Sequence, residues 1–312
     1  MAVNKINNSL YLIDLEQPRA GFSNFISTWV YKDKNLCFIV DPGPVKTIHF
    51  LKEKLESIRI TKKNLNYILL THIHIDHAGG TGKLLKFFPR AQVVCHPRGI
   101  KHLINPEDLW NASKNVLGEV ADMYGEIFPV AENKITFQEK IGEIRAIETI
   151  GHASHHLSYL FKKYLFIGDA AGVHFPIKNN FYVRPATPPI FNYDIAISSL
   201  DKLLSLNLTH FKICYAHYGI NNNAEKMLKI AIEQLKMWKD VIENMLIKGE
   251  QLNFEDDVVK ELMKKDVYFA NVHLFDDEIK KREQKFISNS IKGIKEYLQK
   301  SHKTNSNKEL KK

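Results

Sequence analysis

Cysteine is scarce in this chain: Cys37, Cys95 and Cys214 are the only three in 312 residues. They are too few and too widely spaced for a disulfide framework or a CxxC metal or redox motif. Each sits in an apolar run, such as Leu36-Cys37-Phe38-Ile39-Val40, and reads as a small buried hydrophobe. Long hydrophobic runs are missing too. No uncharged apolar stretch approaches the ~20 residues that a bilayer demands, so no membrane contact is expected. The opening Met1-Ala2-Val3-Asn4-Lys5-Ile6 lacks the apolar stretch of a secretory signal, and the expected location is the cytoplasm. A concentrated block of one charge is absent as well. The formal net charge is +9, but residues 1–220 carry six of that excess and residues 221–312 carry three. A nucleic-acid arm shows as a dense basic block, so no nucleic-acid partner is expected. Lys280-Lys281-Arg282 is flanked by Asp276, Asp277, Glu278 and Glu283, and reads as a solvated helix face. The basic balance can still draw in an anionic substrate.

What is present divides near residue 220. Before it, short β-type runs alternate with helical patterns. Strands are predicted at Leu10–Leu15, Phe25–Tyr31, Leu36–Val40, Tyr67–Leu70, Gln92–Cys95, Arg145–Ile150, Leu157–Phe161, Tyr164–Ile167 and Phe211–Tyr215, most of them bounded by turn residues. Helices are predicted at Thr47–Glu56, Gly82–Phe88, Pro106–Met123 and Tyr193–Leu206. After residue 220 the β signal fades. Met227, Leu228, Ala231, Leu235, Trp238 and Ile242 form one apolar stripe at three- and four-residue steps. Ile279, Phe286, Ile287, Ile294 and Leu298 form another, and stripes of this width need a partner surface. The expected organisation is an α/β unit over 1–220, helices over 221–302 and a disordered polar tail over 303–312. The stripes pack on that unit, on a second copy in a homodimer, or on both.

The chemistry concentrates in Thr71-His72-Ile73-His74-Ile75-Asp76-His77-Ala78-Gly79-Gly80. His72 and His74 alternate with Ile73 and Ile75, so a strand would turn both imidazoles to one side and the isoleucines to the core. So many polar groups at a strand end are costly unless something holds them. A divalent metal does so, through imidazole and carboxylate. At the chain's own residue frequencies, HxHxDH arises by chance roughly once in a thousand such sequences.

This segment resembles the HxHxDH motif of the metallo-β-lactamase superfamily, and later features fit that family in order. Thr149-Ile150-Gly151-His152 is similar to its Gly-His turn, Phe166-Ile167-Gly168-Asp169 to its bridging aspartate, and Tyr215-Ala216-His217-Tyr218-Gly219 to its last histidine. Ile39-Val40-Asp41-Pro42-Gly43 resembles its early Asp-x-Gly turn. The resemblance covers about residues 10–220 and implies an αββα sandwich with a C-terminal helical extension. It implies that His72, His74 and His152 hold one metal, that Asp76, His77 and His217 hold a second, and that Asp169 bridges them. Two divalent ions are implied, zinc foremost, with iron and manganese as alternatives. Such a pair lowers the pKa of a shared water towards neutrality while one ion polarises the substrate, and Asp76 orients the nucleophile. Of the other histidines, His49, His96, His102, His210, His273 and His302 read as surface or supporting groups. His156 matches a supporting histidine of glyoxalase-II-like sequences, although Ala153-Ser154-His155 replaces their Thr-Pro-Gly.

The resemblance narrows the reaction to hydrolysis of a small-molecule ester, thioester or related acyl compound. A phosphodiesterase-type hydrolase and a mononuclear iron oxygenase akin to persulfide dioxygenases stay open as alternatives. His74 stands where the di-iron oxygen reductases carry glutamate, which argues against that branch. Ala170-Ala171-Gly172-Val173 offers none of the tyrosine that the lactonase branch often carries. His174, on the loop after Asp169, is a candidate substrate contact. The stiff run Arg184-Pro185-Ala186-Thr187-Pro188-Pro189 resembles one found in a hydrolase branch of the superfamily. Arg184 there is a candidate fork for a carboxylate or phosphate.

Overall fold

The computed structural model describes residues 2–249 and 252–309, with side chains up to residue 301. Among the described residues, one sheet runs in chain order through β1 (Val3–Lys5), β2 (Leu10–Asp14), β3 (Ser27–Lys32), β4 (Cys37–Val40), β5 (Tyr67–Leu69), β6 (Gln92–Val94) and β7 (Ile135–Thr136). The next strands are β8 (Lys140–Ile141), β9 (Ile144–Glu148), β10 (Leu157–Phe161), β11 (Tyr164–Gly168), β12 (Val173–Ile177), β13 (Asn180–Arg184), β14 (Lys212–Tyr215) and β15 (Ile220–Asn221). The second sheet has the order β15-β14-β11-β10-β9-β8, and β12 pairs with β13 in a separate hairpin. The helices are α1 (Ile48–Ser57), α2 (Ile75–Ala78), α3 (Thr81–Phe87), α4 (Pro97–Ile104), α5 (Glu107–Leu117), α6 (Glu119–Tyr124), α7 (Tyr193–Leu204), α8 (Ala224–Ile247), α9 (Phe254–Lys265) and α10 (Asp277–Glu309).

Side-chain alternation along the strands sets the layers. Trp29, Tyr31, Phe38 and Val40 of the first sheet meet Leu157, Tyr159, Phe161 and Phe166 of the second in a core between the sheets. Their neighbours Val30 and Ile39 turn outward onto Leu51, Leu55 and Leu84 of α1 and α3. Leu160, Leu165 and Ile213 turn outward onto α7 and α8. Strands apolar on both faces are covered on both faces, and the result is the expected αββα sandwich.

The helices after residue 220 share that second outer core. Met227, Leu228, Leu235, Trp238, Ile291, Ile294 and Leu298 pack in one cluster with Leu165, Ile167 and Tyr215. Most of both stripes is therefore buried within the chain, with Ile279 and Phe286 partly buried.

Several elements differ from the reading of the sequence. The predicted helix Pro106–Met123 is broken at Gly118, whose φ of 57° and ψ of −130° end α5 and start α6. Asn180–Arg184 is a strand absent from the predicted set, because a local hairpin partner at Val173–Ile177 takes up its backbone groups. The strand before the histidine motif stops at Leu69, so His72 and His74 stand on irregular chain beyond it. Arg282, assigned to a solvated face, is only 5% exposed. The tail expected to be disordered from 303 continues α10 to Glu309; it holds no proline or glycine to stop a helix. Residues 310–312 of that tail lie outside the described residues.

Candidate metal centre

The candidate ligands leave the carboxyl ends of β5, β9, β11 and β14. β4, β5 and β6 run parallel, as do β11 and β14, so these ends meet at one edge of the sandwich. Two glycines make the approach tight. A Cβ on Gly168, which has φ of 57°, would lie 2.6 Å from His156 Nε2; one on Gly151 (φ 141°) would lie 2.6 Å from Ala196 Cα. Asp169 and His152 follow directly, so each ligand enters where only glycine lets the backbone pass.

Hydrogen bonds fix which imidazole nitrogens face the site. Thr71 Oγ1 donates to Asp41 Oδ2 at 2.6 Å, so its 3.0 Å contact with His72 Nδ1 is one in which Thr71 accepts. Nδ1 of His77 donates to Asp41 Oδ2 at 3.2 Å, that of His152 to the Ala186 carbonyl at 2.8 Å, and that of His217 to the Phe25 carbonyl at 2.9 Å. The lone pairs on Nε2 are left pointing at one another. His74 turns the other nitrogen inward, with Nδ1 3.1 Å from His152 Nε2. His156 Nε2 accepts from the Asp169 backbone N–H at 3.1 Å and so steadies the central carboxylate.

The spacings test whether these groups fit a metal. Two ligand atoms ~2.0–2.1 Å from one tetrahedral ion stand roughly 3.3–3.5 Å apart. Asp169 Oδ1 lies 3.5 Å from His77 Nε2, and its Oδ2 lies 3.5 Å from His152 Nε2 and 3.6 Å from His217 Nε2. Asp76 Oδ2 is 3.6 Å from His217 Nε2 and 3.7 Å from His77 Nε2. These contacts exceed hydrogen-bond lengths, and Nε2 of His72, Nε2 of His77 and Oδ1 of Asp169 are buried with no hydrogen-bond partner. Three overlapping groups could each hold an ion: His72, His74 and His152; His72, His77 and Asp169; Asp76, His77 and His217. The donor set fits a pair of divalent cations.

Electrostatics agrees. Burial and the neighbours His77 and His74 push His72 well below its ordinary 6.5. Burial also lowers His77, but Asp169, Asp76 and Asp41 outweigh it and hold the imidazole up to about 10. Burial would raise Asp169, yet His77, His217 and His152 hold it well below 3.8. The clustered carboxylates demand positive charge, and a divalent cation would displace the proton that His77 otherwise keeps.

A cavity of about 280 Å³ opens above the ligands, with His74, Asp76, His152, Asp169 and His217 on its floor. Helix α5 supplies Leu109, Val116 and Leu117, and α10 supplies Phe286, Asn289 and Ser290. All seven sequence-derived ligands are brought together. The two candidate substrate residues fare differently. His174 does not line the cavity: it is 2% exposed, its ring stacks on Tyr215, and Nδ1 donates to the Tyr218 carbonyl at 2.8 Å. Its backbone N–H instead donates to the His217 carbonyl at 2.8 Å. Arg184 does reach the cavity wall, but its Nε donates to Glu283 at 2.6 Å and the side chain is 3% exposed. Sequence reading missed Thr71, the Phe25 and Ala186 carbonyls, and the wall from α5; the helices after residue 220 were expected to shape the pocket mouth, and α10 lines it. Main-chain acceptors leave no residue-type signal.

The sequence model of the metallo-beta-lactamase superfamily matches residues 23–217. A metallo-beta-lactamase fold-containing protein of Sulfurisphaera tokodaii is 32% identical over 202 residues, 59% of this chain and 72% of the relative. A hydroxyacylglutathione hydrolase of Buchnera aphidicola subsp. Schizaphis graminum is 31% identical over 160 residues, 49% of this chain and 52% of that protein. The match to that hydrolase thus spans about half of its length. The crystal structure of an archaeal metallo-beta-lactamase superfamily protein from Sulfolobus tokodaii is similar with a TM-score of 0.65 at 25% identity, covering 91% of this chain and 98% of that one.

Proposed function

The chain belongs to the metallo-beta-lactamase superfamily and is a metal-dependent hydrolase; from that premise we propose that it cleaves a small ester, thioester or related acyl compound. One observation carries this reading: the imidazoles of His74, His152 and His217 and the carboxylates of Asp76 and Asp169 form the floor of a cavity with apolar walls, and Nε2 of the neighbouring His72 and His77 is buried without a hydrogen-bond partner. The match to hydroxyacylglutathione hydrolases supports a thioester among the substrates.

His72, His74 and His152 are the proposed ligands of one divalent cation, and Asp76, His77 and His217 those of a second, with Asp169 between them. When bound, such a pair, zinc foremost, lowers the pKa of a shared water towards neutrality and polarises a substrate oxygen. The chain's own residues do the rest. Asp41, Thr71 and the Phe25 and Ala186 carbonyls keep the imidazole protons on the far side, so the lone pairs face inward. Asp76, on the cavity floor, accepts a hydrogen bond from the attacking water and aims it. The apolar walls exclude bulk water and seat the acyl part of the substrate. The catalytic groups lie within residues 1–220, and the segment 221–302 completes the pocket through Phe286, Asn289 and Ser290.

A panel of chromogenic esters, thioesters and bis-p-nitrophenyl phosphate, run with metal-loaded protein, tests the proposal. Turnover of esters or thioesters is expected. Turnover of the phosphodiester alone replaces the acyl reading with a phosphodiesterase.

A further inference from the structure

The walls of the cavity constrain its occupant more than the floor does. Phe25, Leu109, Leu117 and Phe286 line it, and Val116 and Ile190 line it while keeping 46% and 87% of their surface exposed. Ile190 is held at φ 74°, a left-handed conformation that strains a β-branched residue. Such strain persists only where the surroundings impose it, and it clusters at ligand sites. Here Pro188 and Pro189 stiffen the chain on one side and the buried Phe191 anchors it on the other. The fold thus keeps an isoleucine at the mouth against both its backbone preference and its aversion to water.

Charge points the same way. Among the described residues, Arg184 is the only lysine or arginine that lines the cavity. Its Nε donates to Glu283 at 2.6 Å, a carboxylate it shares with Arg282, and none of the three side chains is more than 3% exposed. The other lysines and arginines among the described residues lie off the walls. A thioester whose leaving group bears free carboxylates, as glutathione does, meets no exposed lysine or arginine on these walls, only a buried guanidinium held by Glu283.

Resting on the hydrolase reading above, we propose that the site selects a neutral substrate with an apolar acyl group, and that Ile190 and Val116 determine this selectivity at the mouth. Both side chains leave exposed surface for an acyl chain to cover, so longer acyl groups gain affinity until the 280 Å³ is filled.

Titration calorimetry on metal-loaded protein reads the selectivity without turnover, using two uncleavable thioethers, S-hexylglutathione and S-hexyl-N-acetylcysteamine. The neutral thioether is expected to bind about tenfold tighter, a difference set by pocket complementarity. Equal binding, tighter binding of the glutathione thioether, or no binding of either overturns the proposal. Ile190→Ser combined with Val116→Ser should weaken the neutral thioether about fivefold through lost apolar contact, with an unchanged unfolding temperature. Unchanged affinity removes the two residues from the selectivity. Failure of the hydrolase reading looks different: the neutral thioether still binds, but no ester or thioester is turned over.

Discussion

Glu283 Oε2 holds Arg184 Nε at 2.6 Å across 99 residues of sequence, and neither side chain is more than 3% exposed. The Tyr182 hydroxyl donates to the same oxygen at 2.8 Å, and Arg282 donates to the other at 3.1 and 3.2 Å. The Arg282 guanidinium lies 4.0 Å from the centre of the Phe25 ring. Phe25 in turn accepts the Nδ1 proton of His217 through its carbonyl. One buried charge cluster thus joins the last helix, the hairpin and the candidate metal centre.

Glu283→Ala would leave two buried guanidinium groups without their carboxylate. Removing one partner of a buried pair costs roughly 3–5 kcal/mol. Urea unfolding should register a loss of that size, whereas a change under about 1 kcal/mol, typical of surface pairs, contradicts the burial argument.

The same carboxylate predicts an acid limit. Burial alone would raise its pKa, but Arg184 and Arg282 hold it down from 4.5 to about 2. A depressed carboxylate contributes stability that is complete above the unfolded value of 4.5 and is lost as pH falls towards 2. Stability measured across that window should fall in the wild type, and Glu283→Gln should reduce the slope. An unaltered slope in that variant assigns the acid sensitivity to other groups.

Metal content comes next. Elemental analysis of unchelated protein should give close to two transition-metal ions per chain, zinc foremost. Chelation should lower the unfolding temperature, because bound metal stabilises the folded state. One iron and no second ion would favour the mononuclear oxygenase instead.

Asp76→Ala should abolish turnover while circular dichroism stays unchanged, since the residue sits in the short helix α2 on the cavity floor and is not among the core-packing residues. His210→Ala is the control: this histidine is exposed and its loss should leave the rate within error. Near-full activity of Asp76→Ala would remove the proposed role.

Truncation after residue 220 should give insoluble protein. It strips Met227, Leu228, Leu235, Trp238 and Ile242 from a core they share with Leu165 and Ile213, exposing an apolar face of the second sheet. Removing residues 303–312 should leave solubility unchanged. A soluble, active 1–220 fragment would show that the helices are dispensable.

The candidate metal centre was the most legible part of the chain. His72, His74, Asp76 and His77 crowd into six positions, and that density has no inexpensive explanation without a metal. His152, Asp169 and His217 each follow a strand with strong β character, so their place at a strand end was readable too. Arg184 and His174 were not readable in the same way. Each sits close in sequence to a loop or ligand that suggested substrate, yet each is buried by contacts with elements distant in sequence, Glu283 for one and Tyr215 and Tyr218 for the other.

The sequence by itself determined most of the strands and the crowding of His72, His74, Asp76 and His77, while the αββα layering and the other three candidate ligands came from its resemblance to the metallo-beta-lactamase superfamily. The strands and that crowding follow from local periodicity and from residue types whose burial needs a cation. Only the tertiary structure decided what the last helices do, which arginine charges are neutralised and what lines the cavity. Arg282 and Glu283 read as a charged helix face because a helix pattern shows only which residues share a side. What that side meets depends on elements far away in sequence, here Gly21, Phe25, Tyr182 and Arg184.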